Sequence, residues 1–427
     1  MGSIVLYTCL TATAISAVVR PWIGVVAAYL FVILAPQTIW WWAFEGVRPV
    51  LWTLVPTLIG IFISLIQGKL NCASLKTKQN IFLLILWICF IISSYAGPYV
   101  GVISTYRWFT VEWERTLVNN MFLLYFAAIL LIDSEKKLKC MALVMVISTL
   151  YLIYWCNDQY LTHQQIGRFG GPAGPNEDGV YADENAFAML FVTGLPFVYY
   201  YGLYQKNKIS RYGLWLFIPL GWHAVFLTGS RGGLSGLVIT LLVSALRTTR
   251  RIVAIGLLAC FILAYQWQAG DTMKGRAGTI LDYQEESSAE SRLNAWKAAI
   301  GMVKDNPLIG VGLASFGPAF PHYSTNRPRM AHNTFFQIAA ESGVLACIMY
   351  LLIVATNLID LWRNGNTLRQ KYRAPDGNFL YCMNEALLTS FIGLVVCSVF
   401  LSLNDYEIFY FLCVLTGTLA LLFKQKL

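Results

Sequence analysis

Long, predominantly apolar stretches such as Ile81–Ala96, Leu117–Ile132 and Val344–Ile359 limit the fold before any motif is considered. A run of roughly 20 such residues, rising 1.5 Å each, spans the ~30 Å hydrocarbon core of a bilayer, whereas water solvates it poorly. These stretches are apolar all round and do not alternate with period two, which excludes a transmembrane β-barrel. Only 12% of the 427 residues are charged and 57% are hydrophobic, with mean hydropathy +0.58. A soluble chain would carry about a quarter charged residues to clothe its domains. The expected fold is therefore all-α, a polytopic integral membrane protein.

Apolar segments fall at about 3–19, 21–36, 50–67, 81–97, 116–132, 138–156, 185–205, 212–228, 233–246, 252–268, 333–359, 380–401 and 406–423. That makes about thirteen membrane segments, with the short pair within 1–36 the least secure. Met1–Val19 lacks the basic n-region of a cleaved signal peptide and reads as the first membrane segment. Most basic residues sit in the short connections on one side, among them Arg20, Lys76, Lys137, Lys208, Arg250, Arg369 and Lys424. By the positive-inside rule that side and the C-terminus are cytoplasmic, and segments 98–115, 157–184 and 269–332 face outward. The chain then divides into a membrane block at 1–268, a large loop domain at 269–332 and a second membrane block at 333–427.

Long irregular segments in a compact chain tend to be functional. Segment 269–332 opens with the polar stretch Asp271–Glu290 and continues as an amphipathic helix over Ala289–Val303, with Leu293, Trp296, Ala299, Ile300 and Val303 on one face. Asn306-Pro307 ends that helix, because proline bars the αR region at the residue before it. Gly310-Val311-Gly312 and a Pro/His/Arg-rich stretch lead to His332. Segment 157–184 holds Gly170-Gly171-Pro172-Ala173-Gly174-Pro175 and then Glu177, Asp178, Asp183 and Glu184 around Tyr181.

The net charge of +9, from 31 Lys+Arg against 22 Asp+Glu, would point to nucleic acid in a soluble protein. Here the basic clusters lie between membrane segments, and there is no nucleic-acid, Walker or dinucleotide motif, so neither a nucleic-acid partner nor a cofactor is expected. The ten cysteines form no C-x-x-C pair and have no histidine at metal spacing. They read as small buried apolar residues, and no metal site is expected.

Three residues stand out chemically. Arg231, in Thr228-Gly-Ser-Arg-Gly-Gly233, lies at the outward junction of two apolar segments, where a helix N-terminus and a guanidinium together bind phosphate or carboxylate. The same position also suits an arginine snorkelling to headgroups. Arg292, in Glu290-Ser-Arg-Leu-Asn-Ala-Trp296, either supplies a second guanidinium to a doubly charged group or pairs with Glu285, Glu286 or Glu290. His332, in Met330-Ala-His-Asn-Thr334, is either a base at the membrane edge or a capping and packing residue, with His163, His223 and His322 as rivals. Glu112, Glu114, Asp183 and Glu184 could form a carboxylate site or bind a divalent cation, but read more simply as solvated loop charges.

These residues sit within a longer series: Gly167-Arg-Phe-Gly-Gly-Pro172, Asp183-Glu-Asn185, Thr228-Gly-Ser-Arg-Gly-Gly233, Glu290-Ser-Arg-Leu-Asn-Ala-Trp296, Asp305-Asn-Pro-Leu-Ile-Gly-Val-Gly312, and Ala331-His-Asn333 followed by Gln337 and Glu341-Ser-Gly343. In order and spacing the series resembles the O-antigen ligase and polymerase superfamily of bacterial membrane glycosyltransferases, and within it the O-glycosylation ligases found beside exosortase systems. The resemblance implies a multi-pass protein of the bacterial inner membrane with a periplasmic active site and about 12 (12–13) transmembrane helices, the surplus segment lying within 1–36. Its implied reaction is metal-independent transfer of a preassembled glycan from an undecaprenyl-diphosphate carrier to an acceptor hydroxyl, on lipid A core or a similar molecule.

Carried over by motif, Arg231 and Arg292 bind the donor diphosphate and His332 activates the acceptor. Arg168, Asn185 and Asn333 complete the candidate set. Arginines placed at a departing diphosphate stabilise the transition state more than the ground state, and a single base without a carboxylate nucleophile implies inversion. An O-antigen polymerase or a protein O-oligosaccharyltransferase shares the donor chemistry. A lipid or anion transporter fits less well, because no inverted repeat is visible and the membrane interior is poor in charge.

Overall fold

The computed structural model describes residues 2–107, 109–174, 179–248, 251–270, 273–275, 287–371, 377–402 and 406–426, all in helices, turns and loops without a strand among them. The first ten long helices are α1 (Gly2–Val19), α2 (Pro21–Ile33), α3 (Pro49–Ile66), α4 (Lys78–Ala96), α5 (Val111–Leu131), α6 (Glu135–Leu161), α7 (Glu184–Tyr204), α8 (Lys208–Thr228), α9 (Arg231–Arg247) and α10 (Arg251–Gln268). They are followed by α11 (Ser287–Asp305), α12 (Phe316–Tyr323), α13 (Thr334–Lys371), α14 (Phe379–Ser398) and α15 (Glu407–Lys426). By length and composition eight of these can cross a membrane: α3 to α7 and α13 to α15. The other segments expected to span form helices as well, α1, α2, α8, α9 and α10. The protein is therefore a polytopic, all-helical membrane protein, and the expected 12 to 13 crossings exceed the eight that length and composition establish.

Helix α7 is the hub. It is buried along most of its length and packs against α6, α8, α9 and α14. One continuous apolar core joins these helices to α2, α5, α13 and α15. A second, smaller core lies in the loop domain, where Ala295, Ala298, Ala299 and Met302 of α11 meet Phe316, Ala319 and Phe320 of α12, together with Ala331 and Ala340.

That core corrects the expected helix face. Leu293 and Ile300 are 41% and 43% exposed, and the buried stripe is 295, 298/299 and 302. This stripe has the same helical spacing but is rotated toward small side chains, which allow α11 to approach α12 closely. The helix does end at Asp305, before Asn306-Pro307. Residues 271–272 and 276–286 of the polar opening of the loop, including Glu285 and Glu286, and Glu177 and Asp178 of the 157–184 segment lie outside the described residues.

The loop domain is clamped to the membrane helices through backbone. Val311 N donates to Ala340 O at 2.8 Å, Val344 N to Pro307 O at 2.8 Å and Tyr99 N to Val311 O at 3.0 Å. Gly343 interrupts α13 at φ 88°. A β-carbon there would meet Leu308 O at 2.3 Å, and one at Gly310 would meet the Glu341 carbonyl carbon at 2.2 Å. Only glycine permits both the positive φ and this approach.

Two readings of side chains change with the fold. Glu114 is 3% exposed in the first turn of α5, so it is no solvated loop charge. Of the cysteines, Cys156, Cys382, Cys397 and Cys413 are buried, but Cys9, Cys72 and Cys260 are exposed. On α1 and α10, where Cys9 and Cys260 lie, an apolar residue on an outward helix face is solvated by lipid and needs no burial in protein, whereas Cys72 lies in the connection between α3 and α4.

At the far end of α9, about 24 Å from Arg231 at 1.5 Å per residue, Arg247 makes a bidentate pair with Glu385 of α14. Its Nε donates to Oε2 at 2.8 Å and its Nη2 to Oε1 at 2.7 Å. Arg247 Nη1 also donates to Asn366 Oδ1 at 2.9 Å, and Arg369 approaches the same carboxylate at 3.6 Å. Glu385 is fully buried. Removing one partner of such a pair strands a buried charge. Arg247→Met is expected to cost about 3 kcal/mol, the low end for a broken buried pair because Arg369 remains. Arg247→Met/Glu385→Leu should recover most of that loss in thermal unfolding of the detergent-solubilised protein.

Candidate functional site

Two chain crossings meet on the face that carries the loop domain. The first joins the 167–185 loop to the α8–α9 junction. Gly229, in the left-handed region at φ 61°, ends α8, and Ser230 caps α9 by accepting from Gly233 N at 3.1 Å. Arg231 is thus the first residue of α9, half-buried, at the positive end of the helix dipole. Asp183 caps α7 by accepting from Asn185 N and Ala186 N, both at 2.9 Å. Asn185 ties the two caps together, since its Oδ1 accepts from Ser230 Oγ at 2.8 Å and from Arg168 Nη2 at 3.3 Å. Arg168 also donates to Thr228 O at 3.0 Å and lies 3.4 Å from Glu184. The Arg168 guanidinium is therefore engaged with the ends of α7 and α8.

The second crossing is the return of the loop domain into α13. Asn333 caps α13, accepting from Phe335 N at 3.0 Å and Phe336 N at 3.1 Å, and donates from Nδ2 to Val399 O at 3.2 Å. The next residue, Phe400, packs against Gly232, so the 399–400 backbone bridges the starts of α13 and α9. His332 itself has φ 45°, a left-handed conformation rare outside glycine but commoner for histidine than for most residues. Its flanks hold it there. Ala331 N donates to Gln337 Oε1 at 3.1 Å, and Ala331 O accepts from Trp296 Nε1 at 2.9 Å. Trp296 also stacks on Phe336 with ring centroids 5.5 Å apart. One turn earlier on the same helix stands Arg292, and Arg329 Nη1 donates to Ser291 Oγ at 2.7 Å.

The electrostatics link the groups. Burial, then the positive charge of Arg292, hold the His332 imidazolium below the ordinary histidine value, while Asp183 pulls it upward and Arg329 lowers it further. The neutral, basic imidazole is thus favoured near pH 7. No described residue hydrogen-bonds the ring, which opens into a depression of about 370 Å³ lined by Arg327, Pro328, Arg329 and Met330. If His332 acts as a base, Asp183→Asn should move the acid limb of the pH–activity profile to lower pH, because removing a nearby anion disfavours the imidazolium. Asparagine retains the cap on α7, so a fall in total activity without a shift of the limb would count against the coupling.

The structure thus brings His332 beside Arg292, and joins the start of α9, with Arg231, to the same neighbourhood through Asn185 and the 399–400 bridge. Asn333 and Arg168 make contacts within the protein that hold those elements. Of the rival histidines, His223 Nδ1 is 2.8 Å from Asn157 Oδ1, His322 packs against Tyr99 and Tyr323, and His163 is exposed just after α6. Sequence reading passed over Arg327 and Arg329, although both flank Pro328 just ahead of His332. It also passed over Ser230 as a link to Asn185. Among the described residues no group of three or more His, Cys, Asp or Glu could hold a metal ion.

An all-helical polytopic membrane protein with a basic, histidine-bearing site at the edge of its helices is the class that fold and site define. Residues 213–351 match the family model for O-antigen ligase. Over those residues the chain is similar to that family, and the match supports the O-antigen ligase superfamily read from the motifs. That superfamily comprises membrane glycosyltransferases of the ligase and polymerase type. No curated protein sequence matches the chain significantly.

Proposed function

We propose that the chain transfers a preassembled glycan from undecaprenyl diphosphate to an acceptor hydroxyl, on lipid A core or a similar molecule, at the periplasmic face of the bacterial inner membrane, with its C-terminus in the cytoplasm. The observation that carries this reading is an open, basic imidazole next to Arg292, inside the region similar to the O-antigen ligase family, which also contains Arg231. The acceptor oxygen attacks the anomeric carbon as its proton passes to His332. The bond from that carbon to the diphosphate oxygen breaks, and the diphosphate leaves with the electron pair. Arg231, at a helix N-terminus, and Arg292 neutralise the charge that develops on the leaving oxygen. Attack and departure on opposite faces invert the anomeric centre, and the chemistry asks for no metal.

Deleting the gene in its host and sizing the glycans left on the carrier tests the reading. Long polymer stranded on the lipid is the expected result. Single repeat units would make the protein a polymerase of the same superfamily. An unchanged profile would refute glycan transfer.

A further inference from the structure

Away from the histidine, a cavity of about 560 Å³ opens between α2, α3, α5 and α15, within the range of small-molecule sites. Its lining is graded. Arg48, just before α3, Glu112 in the first turn of α5 and Glu407 at the start of α15 are the charged residues, and all three stand at helix starts on the face that carries the loop domain. Beyond them the lining is largely apolar, with Val50, Leu51, Leu117, Met121 and Leu124. From Glu112 to Leu124 the wall descends about 18 Å along α5 at 1.5 Å per residue, more than half of a ~30 Å hydrocarbon core. Tyr29 also lines the cavity, is 2% exposed, and its hydroxyl is buried without a hydrogen-bond partner among the described residues.

We propose that this cavity binds an aminophospholipid. Charge and depth together select that occupant. A long apolar slot ending in charge fits an acyl chain below a polar headgroup. One guanidinium beside two carboxylates matches a headgroup that carries both a phosphate and a primary ammonium: Arg48 takes the phosphate, and Glu112 and Glu407 take the ammonium through charge-assisted hydrogen bonds. Within the lining an anionic lipid would face two carboxylates against one guanidinium, Arg107 beside Glu112 standing outside the cavity wall, and a diphosphate-linked prenyl carrier is disfavoured for the same reason. The Tyr29 hydroxyl, about one turn below the end of α2, is placed to donate to an ester oxygen beneath the headgroup. The site does not depend on the glycan-transfer reading, because none of its residues belongs to the histidine site.

The test is native mass spectrometry of the full chain released from nanodiscs of phosphatidylethanolamine mixed with phosphatidylglycerol, and from matched discs with phosphatidylcholine. Phosphatidylethanolamine should be retained about tenfold over either other lipid, the value of one hydrogen bond to a charged group. Glu112→Gln should remove that preference, and Arg48→Gln should lower retention of phosphatidylethanolamine. Both residues are exposed, so neither change threatens the fold. Thr116→Phe, which narrows the slot, should lower retention of all lipids at the site. Equal retention of phosphatidylglycerol or phosphatidylcholine by the unaltered protein would overturn the proposal, as would an undiminished preference in Glu112→Gln.

Discussion

His332→Ala is expected to lower glycan transfer by about 10²–10⁴-fold, the usual worth of a positioned general base, at every pH at which the protein stays folded. An acceptor hydroxyl is a weak nucleophile until its proton has a destination, and the imidazole, held toward its neutral form and without a hydrogen bond to any described residue, is the base that the depression exposes. The loss should fall on kcat. A variant that only raised KM for the acceptor would show that His332 positions substrate, and the base would have to be sought elsewhere. The fold should survive, because the turn is held by Trp296, Gln337 and Asn333 and not by the ring. Alanine at φ 45° does add strain of order 1 kcal/mol. His332→Asn, which tolerates the left-handed region better, serves as the control for that strain and should be equally inactive.

Arg231→Ala and Arg292→Ala should each reduce transfer by about 10²–10³-fold, the cost of removing one preplaced donor from a developing anion, while the protein still elutes as a monodisperse species in detergent. The two variants should differ in pH dependence. Arg292 holds the His332 imidazolium down, so its removal raises that pKa, and residual activity should reach its plateau at higher pH than in the unaltered protein. Arg231→Lys and Arg292→Lys should recover only part of the loss, since an ammonium restores the charge but not the two-pronged geometry that grips phosphate oxygens. Full activity in either alanine variant would remove that arginine from the diphosphate site.

Local patterns carried much of this protein. Apolar length alone put helices at every expected segment, because a chain that must satisfy its backbone in lipid has few other choices. Asn306-Pro307 placed the end of α11 for an equally local reason, the missing N–H and the crowded residue before a proline. The order of short motifs around Arg231, Arg292 and His332 was enough for the resemblance that the O-antigen ligase match supports. The buried face of α11 was not legible, since period 3.6 admits both the Leu293/Ile300 stripe and the alanine stripe, and only the presence of α12 selects between them. Glu114 likewise looked solvated until α5 was packed.

The contacts between distant parts of the chain were the least readable. In the candidate site Asn185 meets Ser230 across 45 residues and Asn333 meets Val399 across 66, and at the far end of α9 Arg247 meets Glu385 across 138. A sequence by itself determines what its neighbours along the chain can do, namely which segments are helical, where they stop and which residue types can carry charge or protons. Which of those residues face one another is decided by tertiary packing, because pairing across tens of residues depends on the register of whole helices and leaves no local pattern in the chain.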